Sequence, residues 1–138
     1  MKNEKAKAEV IQYWMEKDHE ALESTRSEQN VGRLVFAVNR AYYACFYSAS
    51  PVLMSLGKRF RKHSGVRGAV HSLLVESEML DASAGRFYDL AFKSRQRGDY
   101  QELVEFSREE AEEILSVSEA FVVSVRTLLE KMSQGENR

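Results

Sequence analysis

The chain has 138 residues, of which 43% are hydrophobic and 30% charged, and its formal net charge is −1. This length suits one domain, and a single cysteine excludes a disulfide framework and a four-cysteine zinc site. One proline and seven glycines argue against an all-β chain, and the small net charge argues against a protein that binds nucleic acid over its whole surface.

The longest stretch without a charged residue is 41–57, which is bracketed by Arg40 and Lys58. It is shorter than the roughly 20 apolar residues that a membrane-spanning helix needs, and it contains serines and a proline. The charged N-terminus, Met1 to Glu9, is not followed by the apolar run of a secretory signal. We therefore expect a cytoplasmic protein without a membrane segment.

Apolar residues recur at helical spacing along almost the whole chain. The first helix is predicted from about Lys5 to Ser24, and the second from about Gln29 to Leu56. The second helix has an apolar seam whose members alternate in steps of four and three: Val31, Val35, Val38, Tyr42, Cys45, Ala49, Val52 and Leu56. Such a seam packs against partner helices along its length. Pro51 removes one backbone donor from this helix and predicts a kink or a break near Tyr47.

A loop at 57–65 separates these helices from three more. The third is predicted from about Val66 to Glu78. The fourth begins at a cap provided by Asp81 or Ser83 and ends near Arg97, with Gly98 as its left-handed terminator.

The fifth helix is predicted to begin at Asp99, because Asp99 precedes Glu102 by three residues, as in a capping box. It continues to about Met132, and residues 133–138 are expected to fray. The sequence therefore predicts an all-α fold: one domain over residues 1–138, with a five-helix core at about residues 5–132.

Three aromatic residues of the second helix, Phe36, Tyr43 and Tyr47, fall on a different arc from the apolar seam. Arg33 and Arg40 lie beside them. A helix with two apolar sides either sits at the centre of its bundle or contacts another chain. Two interpretations follow: central burial of the helix, or a symmetric homodimer through Phe36, Tyr43 and Tyr47.

Charge is distributed unevenly along the chain. Residues 57–72 contain no acid but two histidines, His63 and His71, and five basic residues: Lys58, Arg59, Arg61, Lys62 and Arg67. This block is either a binding site for phosphate or RNA, since clustered cations release counterions on binding, or a solvated loop. The six glutamates within residues 102–113 are more simply explained as complementing a helix dipole.

We expect no metal and no cofactor. His63 and His71 are eight residues apart without a carboxylate between them, and zinc requires several convergent ligands. Cys45 lies in the apolar seam, where a thiol acts as a small hydrophobic group. The chain has no glycine-rich phosphate loop and no nucleophile elbow.

The predicted joint between the fourth and fifth helices carries Arg95, Arg97, Asp99 and Tyr100. A guanidinium can stabilise a pentavalent phosphate, and a helix start offers backbone donors to an anion. In the alternative interpretation, Asp99 caps the fifth helix, Arg95 pairs with an acid and Tyr100 packs.

Three ordered segments together resemble the HEPN superfamily, and more narrowly its small prokaryotic UPF0332-type branch. They are residues 39–46 (Asn-Arg-Ala-Tyr-Tyr-Ala-Cys-Phe), 62–66 (Lys-His-Ser-Gly-Val) and 95–100 (Arg-Gln-Arg-Gly-Asp-Tyr). The similarity extends from about Tyr13 to Leu129. It implies a five-helix, mostly up-and-down bundle that dimerises, and a minimal nucleotidyltransferase as partner in a toxin–antitoxin-like system.

The toxic members of this superfamily are metal-independent endoribonucleases that carry an arginine, four to six further residues and then a histidine. Arg95 matches the arginine, but no histidine follows it in this chain. The resemblance therefore implies a module that binds RNA or nucleotide. Two alternatives remain open: a ribonuclease toxin that uses Arg95, and a non-catalytic dimeric adaptor.

The candidate residues follow from the motifs and the basic block. The catalytic candidates are Arg95 for charge stabilisation, Asp99 as a base, and Tyr100 as an acid or as the acceptor of a nucleotide from the partner. His63 could join them if the basic loop folds over this joint. The candidates for binding RNA or nucleotide are Arg40, Lys58, Arg59, Arg61, Lys62, His63 and Arg97.

Overall fold

Five α-helices form the structure, a computed structural model that describes residues 2–136. They are α1 (Lys2–Asn30), α2 (Leu34–Ser55), α3 (His63–Ala69), α4 (Ala82–Tyr100) and α5 (Arg108–Glu136), and α3 continues as a π-helix at Val70–Val75. No strand occurs within these residues, so the predicted all-α, five-helix fold is confirmed. None of the helices described is at once long and apolar enough to cross a bilayer. The predicted frayed end falls partly on residues 137–138, outside the described residues, and α5 continues to Glu136.

Helix α2 lies at the centre of the bundle and contacts α1, α3, α4 and α5. Its apolar seam is buried from Val38 to Val52, with Tyr42 and Cys45 fully inaccessible. The helix runs without interruption through Pro51, so the predicted break near Tyr47 is absent. Central burial of the second helix is therefore observed.

The boundary between α1 and α2 differs from the prediction. Gln29, the predicted start of the second helix, lies in α1. Val31 was assigned to the apolar seam of the second helix, but it lies in the turn and is 62% exposed. The turn depends on Gly32, whose φ of 82° lies in the left-handed region that glycine enters without a side-chain clash. The apolar periodicity continues across this turn, which is why the pattern alone extended the second helix too far back.

The boundary between α4 and α5 was also predicted wrongly. Gly98 does not terminate α4, which runs on to Tyr100, and Asp99 caps no helix. A Cβ atom on Gly98 would lie 3.2 Å from Phe106 Cε2, so the glycine serves a close approach between helix and loop. The segment 101–107 is non-helical.

The capping box of α5 lies at Ser107 and Glu110. Ser107 Oγ accepts a hydrogen bond from the Glu110 backbone N–H at 3.0 Å, and Glu110 Oε1 accepts one from the Ser107 N–H at 3.2 Å. These reciprocal bonds satisfy two backbone donors at the helix start. At the start of α4 the predicted Asp81 cap is present, with its carboxylate accepting from the Ser83 N–H at 3.0 Å.

Candidate functional site

Arg95 lies on the face of α4 that packs against α2. Its Nε donates a hydrogen bond to Asp99 Oδ2 at 2.9 Å, one helical turn away, and its Nη2 donates to Tyr43 Oη at 3.4 Å. The guanidinium carbon lies 5.2 Å from the ring centroid of Tyr42 and 5.4 Å from that of Tyr43. The side chain is only 11% exposed. Arg95 is therefore held by an ion pair and two aromatic rings.

His63 reaches the same two tyrosines from another segment. It is the first residue of α3, directly after the basic loop, which we define as residues 57–62. Its Nδ1 lies 2.8 Å from Tyr42 Oη, and its ring centroid lies 5.6 Å from that of Tyr43. We call Arg95, Tyr42, Tyr43 and His63 the Arg95–His63 cluster. The start of α3, directly after the basic loop, therefore lies beside the tyrosines that hold Arg95.

Burial governs the ionisation of this cluster. Burial, and then the nearby Arg95 charge, lowers the pKa of His63, so the imidazole is neutral near pH 7. Burial raises the pKa of Tyr42 to about 12, and that of Tyr88 is raised for the same primary reason. The phenols therefore keep their protons. Because Tyr42 Oη also lies 3.4 Å from Tyr88 Oη, the three groups can form one hydrogen-bonded chain in either direction.

Asp99 and Arg40 flank the cluster. Besides Arg95, Asp99 accepts a hydrogen bond from Asn39 Nδ2, 3.3 Å from Oδ2. Asp99 therefore holds Arg95 in place and joins α4 to α2. Arg40 lies with its guanidinium carbon 5.2 Å from the Tyr43 ring centroid, so two cations from different helices share that ring.

The four cations of the basic loop are exposed, and none forms an ion pair with a residue whose side chain the structure describes (5 and 8–134): Lys58, Arg59, Arg61 and Lys62. Because the loop ends at His63, these charges lie next in the chain to the Arg95–His63 cluster. The fold thus brings together Arg40, Arg95, Asp99 and His63 from the candidate set, and the loop cations directly precede His63 in the chain.

Arg97 and Tyr100 lie elsewhere. Arg97 Nη2 donates to Glu110 Oε2 at 3.2 Å, and its guanidinium carbon lies 4.3 Å from the Phe106 ring centroid. It therefore ties the end of α4 to the start of α5. Tyr100 is 74% exposed and, with Lys93 and Arg97, lines a shallow depression of about 450 Å³ on α4.

The three aromatic residues predicted for a dimer interface differ in environment. Phe36 is 62% exposed. Tyr43 is half-buried in the Arg95–His63 cluster, and Tyr47 is half-buried against Trp14 of α1, with ring centroids 5.7 Å apart. Much of the aromatic strip is therefore covered within the chain, and Phe36 is its most exposed member.

Two sets of interacting polar side chains were not predicted from the sequence. Tyr42 matched the apolar seam, and its spacing gave no sign that its hydroxyl contacts a histidine. Asp89 accepts hydrogen bonds at 2.8 Å from both Arg67 and His71, and so joins the third helical segment to α4. Burial tends to raise the pKa of Asp89, but the hydrogen bonds from Arg67 and His71 outweigh it, and the net pKa is lowered. Among the described residues, no group of three or more potential ligands could hold a metal ion.

Known proteins resemble this chain over most of its length. Residues 11–128 match the family model of the HEPN domain. A UPF0332 protein from Thermotoga maritima is 37% identical over 132 residues, which cover 96% of this chain and 98% of that protein. The putative toxin MJ0142 from Methanocaldococcus jannaschii is 30% identical over 125 residues, 89% of this chain and 85% of that protein.

The fold also has a counterpart among solved structures. The crystal structure of TT1696 from Thermus thermophilus superposes with a TM-score of 0.72 and covers 86% of this chain and 97% of that one. The two sequences are 17% identical, so this likeness concerns the fold alone.

Proposed function

Because the chain belongs to the HEPN family, within which it is related to UPF0332 proteins and to putative toxins, we propose that it binds RNA in a toxin–antitoxin-like system. The RNA lies on the basic loop and the Arg95–His63 cluster, and a minimal nucleotidyltransferase holds the protein as its partner. The observation that carries this proposal is a run of four exposed cations that leads directly into the half-buried His63, which shares its tyrosine contacts with the largely buried Arg95.

The geometry favours binding over catalysis. Asp99 already neutralises much of the Arg95 charge, and the arginine is largely buried. The loop cations and Arg40 have no such partner among the side chains that the structure describes, so in this proposal they supply the attraction for phosphates. When the logarithm of the affinity for single-stranded RNA is plotted against the logarithm of the salt concentration, each phosphate that the protein neutralises adds about −0.7 to the slope.

A salt titration tests the binding. A fluorescent single-stranded RNA should bind the wild-type protein with an affinity that falls steeply with salt. Replacing Lys58 and Lys62 by Gln should weaken binding and reduce the slope by about 0.7 for each lost phosphate contact. The matched control is Lys131→Gln, an exposed lysine on α5. Absence of RNA binding by the wild type, or equal losses in the control, would contradict the proposal.

One observation favours a second candidate, a metal-independent endoribonuclease. His63 lies on the same two tyrosines as Arg95, and in this candidate function it takes the place of the histidine missing after Arg95. When Nδ1 donates to Tyr42, the neutral imidazole has a lone pair at Nε2 that can accept the 2′-hydroxyl proton. The 2′-oxygen then bonds to phosphorus, the bond to the 5′-oxygen breaks, and the 5′-oxygen takes up a proton from the imidazolium or from water. The guanidinium stabilises the added negative charge.

An RNA cleavage assay distinguishes an endoribonuclease from a protein that only binds RNA. Wild-type protein would cut RNA in the presence of a chelator, leaving a 2′,3′-cyclic phosphate, and both Arg95→Ala and His63→Gln would lose that activity while still binding RNA. Because Arg95→Ala also removes the ion pair with Asp99, circular dichroism is used to check that this variant folds. Intact RNA with every protein leaves RNA binding as the function. Cleavage that persists in His63→Gln contradicts the role of His63.

The partner is tested by co-expression with an adjacent nucleotidyltransferase gene. The two proteins should purify together. Tyr100 is exposed enough to accept a nucleotide, with its phenolic oxygen attacking the α-phosphate of a nucleoside triphosphate and pyrophosphate leaving. Intact mass spectrometry would then show an added nucleotide that Tyr100→Phe abolishes. Co-purification without RNA binding would instead indicate the non-catalytic dimeric adaptor.

A further inference from the structure

A second concave site opens beside the Arg95–His63 cluster. It has a volume of about 410 Å³ and is formed by α1, α2, the basic loop and α3. Trp14 and Phe46 line it together with Tyr13 and Phe60. Tyr13 is 52% exposed and Phe60 is 39% exposed, so both rings can contact a ligand. The volume lies in the range of small-molecule sites, and four aromatic rings suit a flat, apolar group.

The charge of this pocket limits what can occupy it. Lys58 and Arg59 of the basic loop lie on its lining, and none of its described lining residues is acidic. An apolar side chain of a partner protein would fill the aromatic part of the pocket but bring no negative charge to Lys58 and Arg59. A nucleotide carries a flat ring and a phosphate in one unit, and therefore matches both the aromatic and the cationic residues. Proteins that bind single-stranded nucleic acids without sequence preference stack the bases on aromatic rings and place cations along the backbone.

The pocket is continuous with the Arg95–His63 cluster through Phe46. That residue lines the pocket, and its ring centroid lies 4.7 Å from that of His63. We propose that the pocket binds a nucleobase, with the attached phosphate between Lys58, Arg59 and His63. The inference rests on the proposed RNA binding and adds the position of one base relative to His63.

Trp14 provides a direct signal for occupancy, because it is the only tryptophan in the chain and it lines the pocket. A short single-stranded RNA should quench its fluorescence as the base stacks. The parallel sample contains the corresponding mononucleotide. Quenching by the oligonucleotide alone identifies RNA as the source of the base, and equal quenching by the mononucleotide identifies a free nucleotide. Both outcomes support a nucleobase site.

Substitutions then locate the base. Tyr13→Ala and Phe60→Ala each remove one exposed ring, and each should weaken RNA binding by roughly 5- to 150-fold, the range of one lost stacking contact. The matched control is Leu103→Ala, which shortens a fully exposed apolar side chain in the segment between α4 and α5. It should leave affinity and quenching unchanged. Circular dichroism verifies that all three variants fold.

Failure of the pocket assignment and failure of the proposed RNA binding give different results. If the wild type binds RNA but Trp14 fluorescence and the affinities of both variants stay unchanged, the pocket assignment is overturned and RNA binding stands. If the wild type binds neither RNA nor mononucleotide, the proposed function and the pocket assignment both fall. If the two variants bind RNA normally but no longer purify with the nucleotidyltransferase, the pocket holds a protein side chain, and the nucleobase assignment is wrong.

Discussion

Tyr42 combines two roles that usually belong to different residues. Its ring is fully buried in the central seam of α2, while its hydroxyl contacts His63 and Tyr88. A buried hydroxyl without a partner costs free energy, so these contacts fix where His63 can sit. The orientation of the imidazole therefore depends on a residue that the hydrophobic pattern assigns to the core.

Replacing Tyr42 by Phe should lower the free energy of unfolding by about 1–3 kcal/mol. The change removes the hydrogen bond to His63 and leaves the Tyr88 hydroxyl without that partner in a buried position. Urea unfolding measures the loss. Tyr13→Phe is the control, because its side chain is 52% exposed and water replaces the lost hydroxyl contact. Equal stability of the two variants would contradict a structural role for the Tyr42 hydroxyl.

Arg95→Gln should raise the pKa of His63. Burial is the main reason that this pKa is low, and the positive charge of Arg95 is the second. Removing the charge leaves only the burial effect, so the imidazole titrates at higher pH. NMR titration of the histidine ring protons measures the shift, with His63→Gln identifying the signal. Lys93→Gln removes an exposed charge from the same helix and should leave the titration unchanged.

The lowered pKa of His63 also has a consequence for stability. The folded state takes up the proton less readily than the unfolded state, whose histidine titrates near 6.5. Stability from this residue is therefore fully present above pH 6.5 and is lost as the pH falls below it. In His63→Gln, the free energy of unfolding should fall less between pH 7 and about pH 5. An identical pH dependence in the two proteins would contradict the lowered pKa.

At the scale of the helices, the capping box of Ser107 and Glu110 fixes where α5 begins. Ser107→Ala removes the acceptor for the Glu110 N–H and should reduce stability by about 1 kcal/mol. Ser116→Ala, at an exposed position inside the same helix, should be neutral or slightly stabilising because alanine is the better helix former. Thermal unfolding of both variants measures the contrast. A loss in Ser116→Ala as large as in Ser107→Ala would argue against the cap.

Helical periodicity predicts the number and type of the helices but not all their ends. The capping-box spacing occurs twice in this region, at Asp99–Glu102 and at Ser107–Glu110, and local sequence does not rank the two. The structure uses the second, because Asp99 is occupied by Arg95 and Asn39. Similarly, a glycine after a basic residue is typical of a helix end, but Gly98 lies inside α4, where it leaves space for the close approach of Phe106.

The site itself was only partly predictable. Arg95 and Tyr43 belong to segments that the family resemblance singles out, and the basic block is visible in the composition. The contact between Tyr42 and His63 depends on how the loop after α2 folds back, which no local pattern encodes. The resemblance assigns Arg95 to the motif but does not say that Arg97 lies away from the cluster. The helical geometry of α4 shows this, since residues two positions apart point to different sides of a helix.

At the scale of the whole molecule, Phe36 connects the predicted dimer to the site. Phe36, Arg40 and Tyr43 follow one another at spacings of four and three, so they share one face of α2. A second chain that packs on Phe36 would therefore lie next to the Arg95–His63 cluster. In a symmetric dimer the two clusters would face a common groove, and their cations would act on the same nucleic-acid strand.

Phe36→Asp should therefore dissociate the dimer and weaken RNA binding together. Sedimentation of the wild type at micromolar concentration should give about twice 15.8 kDa, and the variant should sediment as a monomer with unchanged helicity, because the side chain is 62% exposed. Val123→Asp is the matched control, a 61% exposed apolar residue on α5, and should stay dimeric. A monomeric wild type contradicts the homodimer. Dissociation by Val123→Asp but not by Phe36→Asp would move the interface to α5 and separate it from the RNA site.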